Sequence, residues 1–143
     1  MSLSGTYDDQ NIFAKILRGE APAITLFEDD IAIAFMDIFP QSPGHCLVLP
    51  REQARNLLDL SPPTAAAAIQ RVQTLAKAVE TALQPDGIVV TQFNGAPAGQ
   101  TVFHIHFHII PCWENVPRGR HGAGQADMGE LKTQAEKIRS ALA

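Results

Sequence analysis

The stretch Thr101-Val-Phe-His-Ile-His-Phe-His-Ile-Ile110 carries His104, His106 and His108 at alternate positions. Such alternation reads as a β-strand, which sends successive side chains to opposite faces. One face then holds the three imidazoles, and the other holds Phe103, Ile105, Phe107 and Ile109, an apolar row suited to a core. Imidazole is the side chain whose unperturbed pKa, about 6.5, lies nearest neutral pH. A row of three on one element therefore points to catalysis or to a metal. Reach separates the two. Cβ atoms four residues apart on a flat strand lie roughly 13 Å from each other. Two imidazole arms, each ending in a Zn–N bond of about 2.1 Å, span roughly 11 Å. His104 and His108 do not share one ion on such a strand. An adjacent pair could, with a third ligand from His45, His121, Cys46, Cys112 or a carboxylate. None of these has a partner at C-x-x-C or H-x-x-x-H spacing, so metal is the second reading.

The residues feeding the strand favour phosphate chemistry. Asn94-Gly-Ala-Pro-Ala-Gly-Gln-Thr101 is rich in small residues. Glycines let backbone N–H groups approach a ligand, and clustered amides form anion-binding hollows. Gln100 and Thr101 add an amide and a hydroxyl able to hold phosphate oxygens. Alone, such a loop is an ordinary turn; beside a histidine row it becomes a candidate phosphate cradle.

Composition bounds the function. The chain has 143 residues, enough for one domain with a real core, and a net charge of −4 with no basic run. Nucleic acid is thus not an expected partner. No apolar run approaches the ~20 residues of a membrane span, and no signal-peptide pattern is visible. The two cysteines, Cys46 and Cys112, suggest no disulfide framework, and the expected location is cytoplasmic.

Along the chain, residues 1–10 read as a loose, flexible N-terminus, residues 11–111 as the main domain and residues 112–143 as a C-terminal extension. Asn11 to Arg18 has helical spacing and stops at Gly19. Ile24–Phe27 and Ile31–Met36 form a hairpin, His45–Leu49 a third strand, and Glu52 to Leu60 a short helix. Ser61-Pro-Pro-Thr64 caps a long helix whose apolar stripe is Ile69, Val72, Leu75, Ala76, Val79 and Leu83. Ile88–Phe93 precedes the small-residue loop and the histidine strand. Met128 to Leu142 is a C-terminal helix that packs on the domain. The expected fold class is α+β: a mainly antiparallel sheet of about five strands with a long helix and a C-terminal helix.

Gly99 to Pro111, with His-x-His-x-His and apolar x, resembles the signature of the histidine-triad (HIT) nucleotide hydrolases and transferases. Asn11 to Pro22 resembles the family's N-terminal block, and Phe27 to Pro50 its central hairpin and loop. The likeness is greatest to the Hint-like and bacterial HIT branch. It implies a HIT-like fold, a homodimer, no cofactor and no catalytic metal. It also implies a nucleotidyl-histidine on His106, with His108, Gly99, Gln100, Thr101 and Val102 at the phosphate and leaving group. His104 and His45 would orient the site, Asp37 would take the ribose hydroxyls, and Asn94 would sit at the sugar or phosphate. Ile12, Phe13, Ile16, Phe35 and Ile38 would hold a purine base, although apolar residues at such spacing are also ordinary core. The implied reaction is cleavage at the α-phosphate of purine nucleoside phosphoramidates or dinucleoside polyphosphates. A non-catalytic nucleotide-binding module and a metal-dependent hydrolase are the alternatives. Some family members bind zinc through Cys-x-x-Cys in the N-terminal block, where this chain has Asn11 and Ala14. Another histidine, often found after the His45 strand, is replaced by Arg51-Glu-Gln-Ala54. The segment from Cys112 to Gln125 is either an exposed tail or a flap bringing Arg118 and Arg120 to extra phosphates.

Overall fold

A computed structural model describes residues 3–119 and 124–143. Helix α1 (Ile12–Leu17) starts where the Asn11 side chain accepts a hydrogen bond from the Ala14 N–H. Strands β1 (Thr25–Glu28), β2 (Ala32–Met36) and β3 (Cys46–Pro50) follow, then helix α2 (Pro62–Leu83). Strand β4 (Gly87–Thr91), a turn of 3₁₀ helix at Ala96–Ala98, strand β5 (Phe107–Cys112) and helix α3 (Met128–Leu142) complete the chain. The strands form one sheet in the order β1-β2-β3-β5-β4, every neighbouring pair antiparallel. This is the expected α+β arrangement.

Alternation along the strands divides the molecule into two layers. Ala34, Met36, Val48, Phe107 and Ile109 meet Val72, Leu75 and Val79 of α2 and Leu131 and Ile138 of α3 in the main core. Ile33, Phe35, Leu47 and Leu49 turn to the other face, where Phe13, Ile16 and Leu17 of α1 cover them. His108 pairs in register with Leu47 on β3 and Thr91 on β4, so it shares this second, thinly covered face. A short helix on a broad sheet leaves room beside it, and the site lies there. No described helix is long and apolar enough to cross a membrane.

Three local expectations need correction. The histidine strand begins only at Phe107: residues 101–106 are irregular, held where the Ile105 N–H bonds to the Ala54 carbonyl. Only His108 of the three histidines is on a strand, so the flat-strand spacing does not apply to His104 and His106. Residues 52–60 are turns, not a helix, because polar side chains capture their backbone groups. Asp59 accepts from the Arg55 N–H, Asn56 accepts from the Leu58 N–H, and Glu52 turns to cap α2 through the Ser61 N–H and hydroxyl and the Thr64 hydroxyl. In α2 the buried stripe is Ala68, Val72, Leu75, Ala78 and Val79, whereas Ile69 is 51% exposed, one residue's rotation away from Ala68. In the N-terminal segment Asn56 donates to the Leu3 carbonyl, and Tyr7 reaches His104.

After β5 the chain runs back across the loop that joins β2 to β3. The Gly119 N–H bonds to the Gln41 carbonyl and the Ala126 N–H to the Ile38 carbonyl. Arg118 is exposed, its Nη1 3.7 Å from the Cys112 sulfur. Arg120 and His121 lie outside the described residues.

Candidate active site

A cavity of about 690 Å³ opens beside α1, lined by that helix, the end of β2 and the irregular residues before β5. His106 and His108 form part of its wall, with ring centroids 5.0 Å apart. The Nδ1 of His106 lies 2.7 Å from the carbonyl of His104, two residues earlier. A carbonyl only accepts, so Nδ1 carries the proton and Nε2 is the basic nitrogen. The edge of Phe13 meets the same ring at 4.8 Å between centroids, in a T-shaped contact that fixes its plane.

His108 is set by a different chain of contacts. The backbone N–H of Gln41 donates to His45 Nδ1 at 2.9 Å, so neutral His45 carries its proton on Nε2. That nitrogen is 3.0 Å from His108 Nδ1 and 3.4 Å from a carboxylate oxygen of Asp37. His108 Nδ1 therefore accepts, and His108 Nε2 bears the hydrogen. One backbone amide thus makes His108 a donor while one backbone carbonyl makes His106 a base. Asp37 directly follows β2 with its other oxygen accepting from the Phe39 N–H, and it lines the cavity.

Asp37, His45 and His108 bring one ligand atom each within 4.8 Å of the others, the geometry of a candidate metal cluster. The protons argue against it. A metal on His45 Nε2 needs that nitrogen deprotonated, which moves the hydrogen to Nδ1, against the Gln41 N–H. The donor set does not fit a metal while that amide points at His45.

The other expected residues divide. Ile12, Phe13, Ile16, Phe35, Ile38, Thr101 and Val102 all line the cavity. Gln100 does not: its Oε1 accepts from the Gly95 N–H while its Nε2 donates to the Arg55 and Val102 carbonyls, bracing the loop that presents Thr101. Asn94 does not line it either; its side-chain oxygen accepts from the Leu57 N–H and the Gln92 amide. Gly99, at φ +111°, packs near the Phe93 ring. His104 is fully buried behind the wall, donating from Nε2 to the Pro50 carbonyl at 2.7 Å, and burial pushes its pKa below the usual value. Phe39, Leu47 and Pro22 also line the cavity and were missed. Leu47 was legible, since alternation along β3 puts it on the face of His108; Phe39 and Pro22 lie outside regular elements and gave no periodic signal. Asn11 caps α1 and donates to the Tyr7 hydroxyl.

A family model described as the HIT domain matches residues 18–115. Adenosine 5′-monophosphoramidase hnt1 of Schizosaccharomyces pombe is 37% identical over 137 residues, covering 92% of this chain and 97% of that protein. Adenylylsulfatase HINT3 of Arabidopsis thaliana is 38% identical over 108 residues, covering 76% of this chain and 55% of that protein, so the chain spans about half that relative's length. The crystal structure of a Hit-like protein involved in cell-cycle regulation from Bartonella henselae, with unknown ligand, superposes with a TM-score of 0.91. It is 49% identical and covers 96% of this chain and 99% of its own.

Proposed function

Because the chain belongs to the HIT family of nucleotide-processing proteins, we propose that it cleaves purine nucleoside 5′-phosphoramidates, forming a nucleotidyl intermediate on His106 without metal. The observation that carries this reading is the hydrogen bond from His106 Nδ1 to the His104 carbonyl, which leaves Nε2 basic in the cavity wall. In the first step Nε2 forms a bond to the α-phosphorus as the phosphorus–nitrogen bond breaks. The electron pair leaves with a nitrogen that entered already protonated, so the product is the neutral amine. The positive charge gained by the His106 ring is held by the carbonyl on Nδ1. Water then attacks phosphorus, His106 departs with its electron pair, and the nucleoside monophosphate is released with one proton. Splitting one displacement into two is the advantage of covalent catalysis. His108 Nε2–H and the Thr101 hydroxyl serve as donors to the phosphate oxygens, and fixed donors suit a displacement that needs mainly position and charge stabilisation. Asp37 binds the ribose hydroxyls, and Phe13, Ile16, Phe35 and Ile38 enclose the base.

Charge favours the phosphoramidate over a dinucleoside polyphosphate. Asp37 is the one charged residue in the cavity lining, which includes no lysine or arginine among the described residues. A polyphosphate leaving group would depart with negative charge and find no cation in that lining. An amine departs neutral. The same reading includes a homodimer and a cytoplasmic setting, with β4 at an open edge of the sheet and Val90 exposed on it.

The test is release of AMP from adenosine 5′-phosphoramidate in EDTA, comparing wild type with His106→Asn. Wild-type turnover with a loss of several orders of magnitude in the variant is the expected result. Unchanged activity in the variant would remove His106 from the mechanism. No turnover by either protein, with AMP still bound, would make the chain a binding module.

A further inference from the structure

The carbonyl that gives His106 its tautomer belongs to a segment with no strand ladder. Between Thr101 and His106 the backbone is irregular, and of its own amides the Ile105 N–H reaches out to the Ala54 carbonyl. The peptide that carries the His104 carbonyl is held through that Ile105 N–H and through the His104 side chain, which is gripped at both ring nitrogens. Nε2 donates to the Pro50 carbonyl at 2.7 Å, and Nδ1 lies 2.5 Å from the Tyr7 hydroxyl. The Tyr7 ring meets the imidazole edge-on at 5.7 Å.

We propose that Tyr7 is a positioning residue for the nucleophile, acting through His104: its hydroxyl holds the buried ring whose own carbonyl sets the proton of His106. This deepens the reading of His106 as nucleophile and rests on it.

The proton order around Tyr7 is fully determined. Nε2 of His104 faces a carbonyl and must carry hydrogen, so Nδ1 must accept, and the phenol is its donor. Asn11 Nδ2 donates to the same phenolic oxygen at 3.1 Å, leaving the Tyr7 proton directed at His104. Burial pushes the Tyr7 phenol above its usual pKa, so it stays a donor throughout the neutral range. Asn11 also caps α1, whose Phe13 packs on the His106 ring. The N-terminal segment thus fixes the nucleophile from two sides, its tautomer through His104 and its ring plane through Phe13.

Tyr7→Phe removes one oxygen and keeps the ring. The buried Nδ1 of His104 then lacks its donor, and the His104 peptide loses one of its two side-chain anchors. The strength of one hydrogen bond corresponds to about a tenfold effect. The expected result is a fall in kcat of about tenfold on adenosine 5′-phosphoramidate, with KM and AMP affinity essentially unchanged, since the base and ribose contacts are intact. The spectroscopic readout is the ring ¹⁵N–¹H correlation spectrum. It should show His106 as a pure Nδ1–H tautomer in wild type and as a mixture in Tyr7→Phe. Glu52→Gln, which loosens the α2 cap at a distance, provides a variant of reduced stability with the site untouched. It should lower Tm and leave the His106 spectrum and kcat as in wild type. Unchanged His106 tautomers and kcat in Tyr7→Phe would overturn the proposal, as would an equal kcat loss in Glu52→Gln. The spectra decide the matter even if the phosphoramidate is not turned over, so failure of the substrate reading and failure of the Tyr7 role are distinguishable.

Discussion

Replacing His45 by Phe tests whether the pair His45–His108 sets a tautomer or moves a proton. His45 is fully buried, and Phe is close to it in volume, so the change is mainly one of hydrogen bonding. The change removes the bond accepted from the Gln41 N–H at 2.9 Å, the one given to His108 Nδ1 at 3.0 Å and the 3.4 Å contact with Asp37. Orphaning the Gln41 N–H costs about 1–3 kcal/mol of stability. The effect on catalysis is smaller and of a different kind. Without His45, His108 keeps its position, and what it loses is the bias toward carrying hydrogen on Nε2. That bias equals about one net hydrogen bond, 0.5–1.5 kcal/mol, or a factor of roughly 2–13 in rate. Loss of the nucleophile in His106→Asn should cost on the order of a thousandfold or more. AMP release from adenosine 5′-phosphoramidate at saturating substrate in EDTA measures both variants, and urea unfolding measures the stability loss. A His45→Phe defect as large as that of His106→Asn would refute the reasoning, because it would require a proton to pass through His45.

Three further outcomes follow from other parts of the structure. Burial holds the pKa of His104 below its usual value near 6.5, against the smaller opposing effect of its bond to the Pro50 carbonyl. The unfolded chain binds that proton first, so stability should fall as pH drops below about 6.5, with a slope from this residue of up to about 1.4 kcal/mol per pH unit. It should level off once pH is below the folded value; urea midpoints from pH 7.5 to 5 would show a shallower slope in His104→Phe, and identical slopes would contradict the assignment. Gly44 has φ +89°, and a Cβ there would stand 2.2 Å from Leu83 Cδ1 and 3.2 Å from Pro111 Cγ. Gly44→Ala should cost about 2 kcal/mol, read as a lowered Tm, because a left-handed backbone and a crowded side chain are strained together. Phe13→Ala removes the edge contact to His106 and the packing on Phe35 at 5.7 Å; it should raise KM about tenfold or more, and an unchanged KM would place the base elsewhere.

The elements with strong local signals were legible. Ser61 followed by two prolines marked the start of α2, and apolar residues at helical spacing before Gly19 marked α1. The strands over residues 31–36 and 45–49 were also legible, while Phe35 entered the site through the family resemblance and lies on the sheet face that α1 covers. What misled was a pattern with two physical explanations. The alternation from Val102 to Ile110 looks like one long strand, yet its first half has no partner strand and forms a wall held by side chains. Residues 52–60 failed similarly, since Asn56 and Asp59 satisfy backbone groups that a helix would have used. Tyr7 was invisible to any local rule: its partner is 97 residues away. Gln100 and Thr101 look equally suited to phosphate in sequence, and only the tertiary partners of Gln100 separate them.

The irregularity before β5 explains why three histidines at identical spacing acquire different chemistry. On a continuous strand their three rings would face one environment and be near equivalents. Breaking the strand at His106 turns His104 inward to Pro50 and Tyr7, while His106 folds its Nδ1 back onto the His104 carbonyl. His108 alone keeps a strand position, and it meets His45 across β3. The protons of His104 and His106 are assigned directly by backbone carbonyls, and that of His108 by the Gln41 amide acting through His45. A carboxylate in the place of the His104 carbonyl would draw the His106 proton as its pKa was crossed. A peptide group holds the same tautomer at every pH where the fold persists.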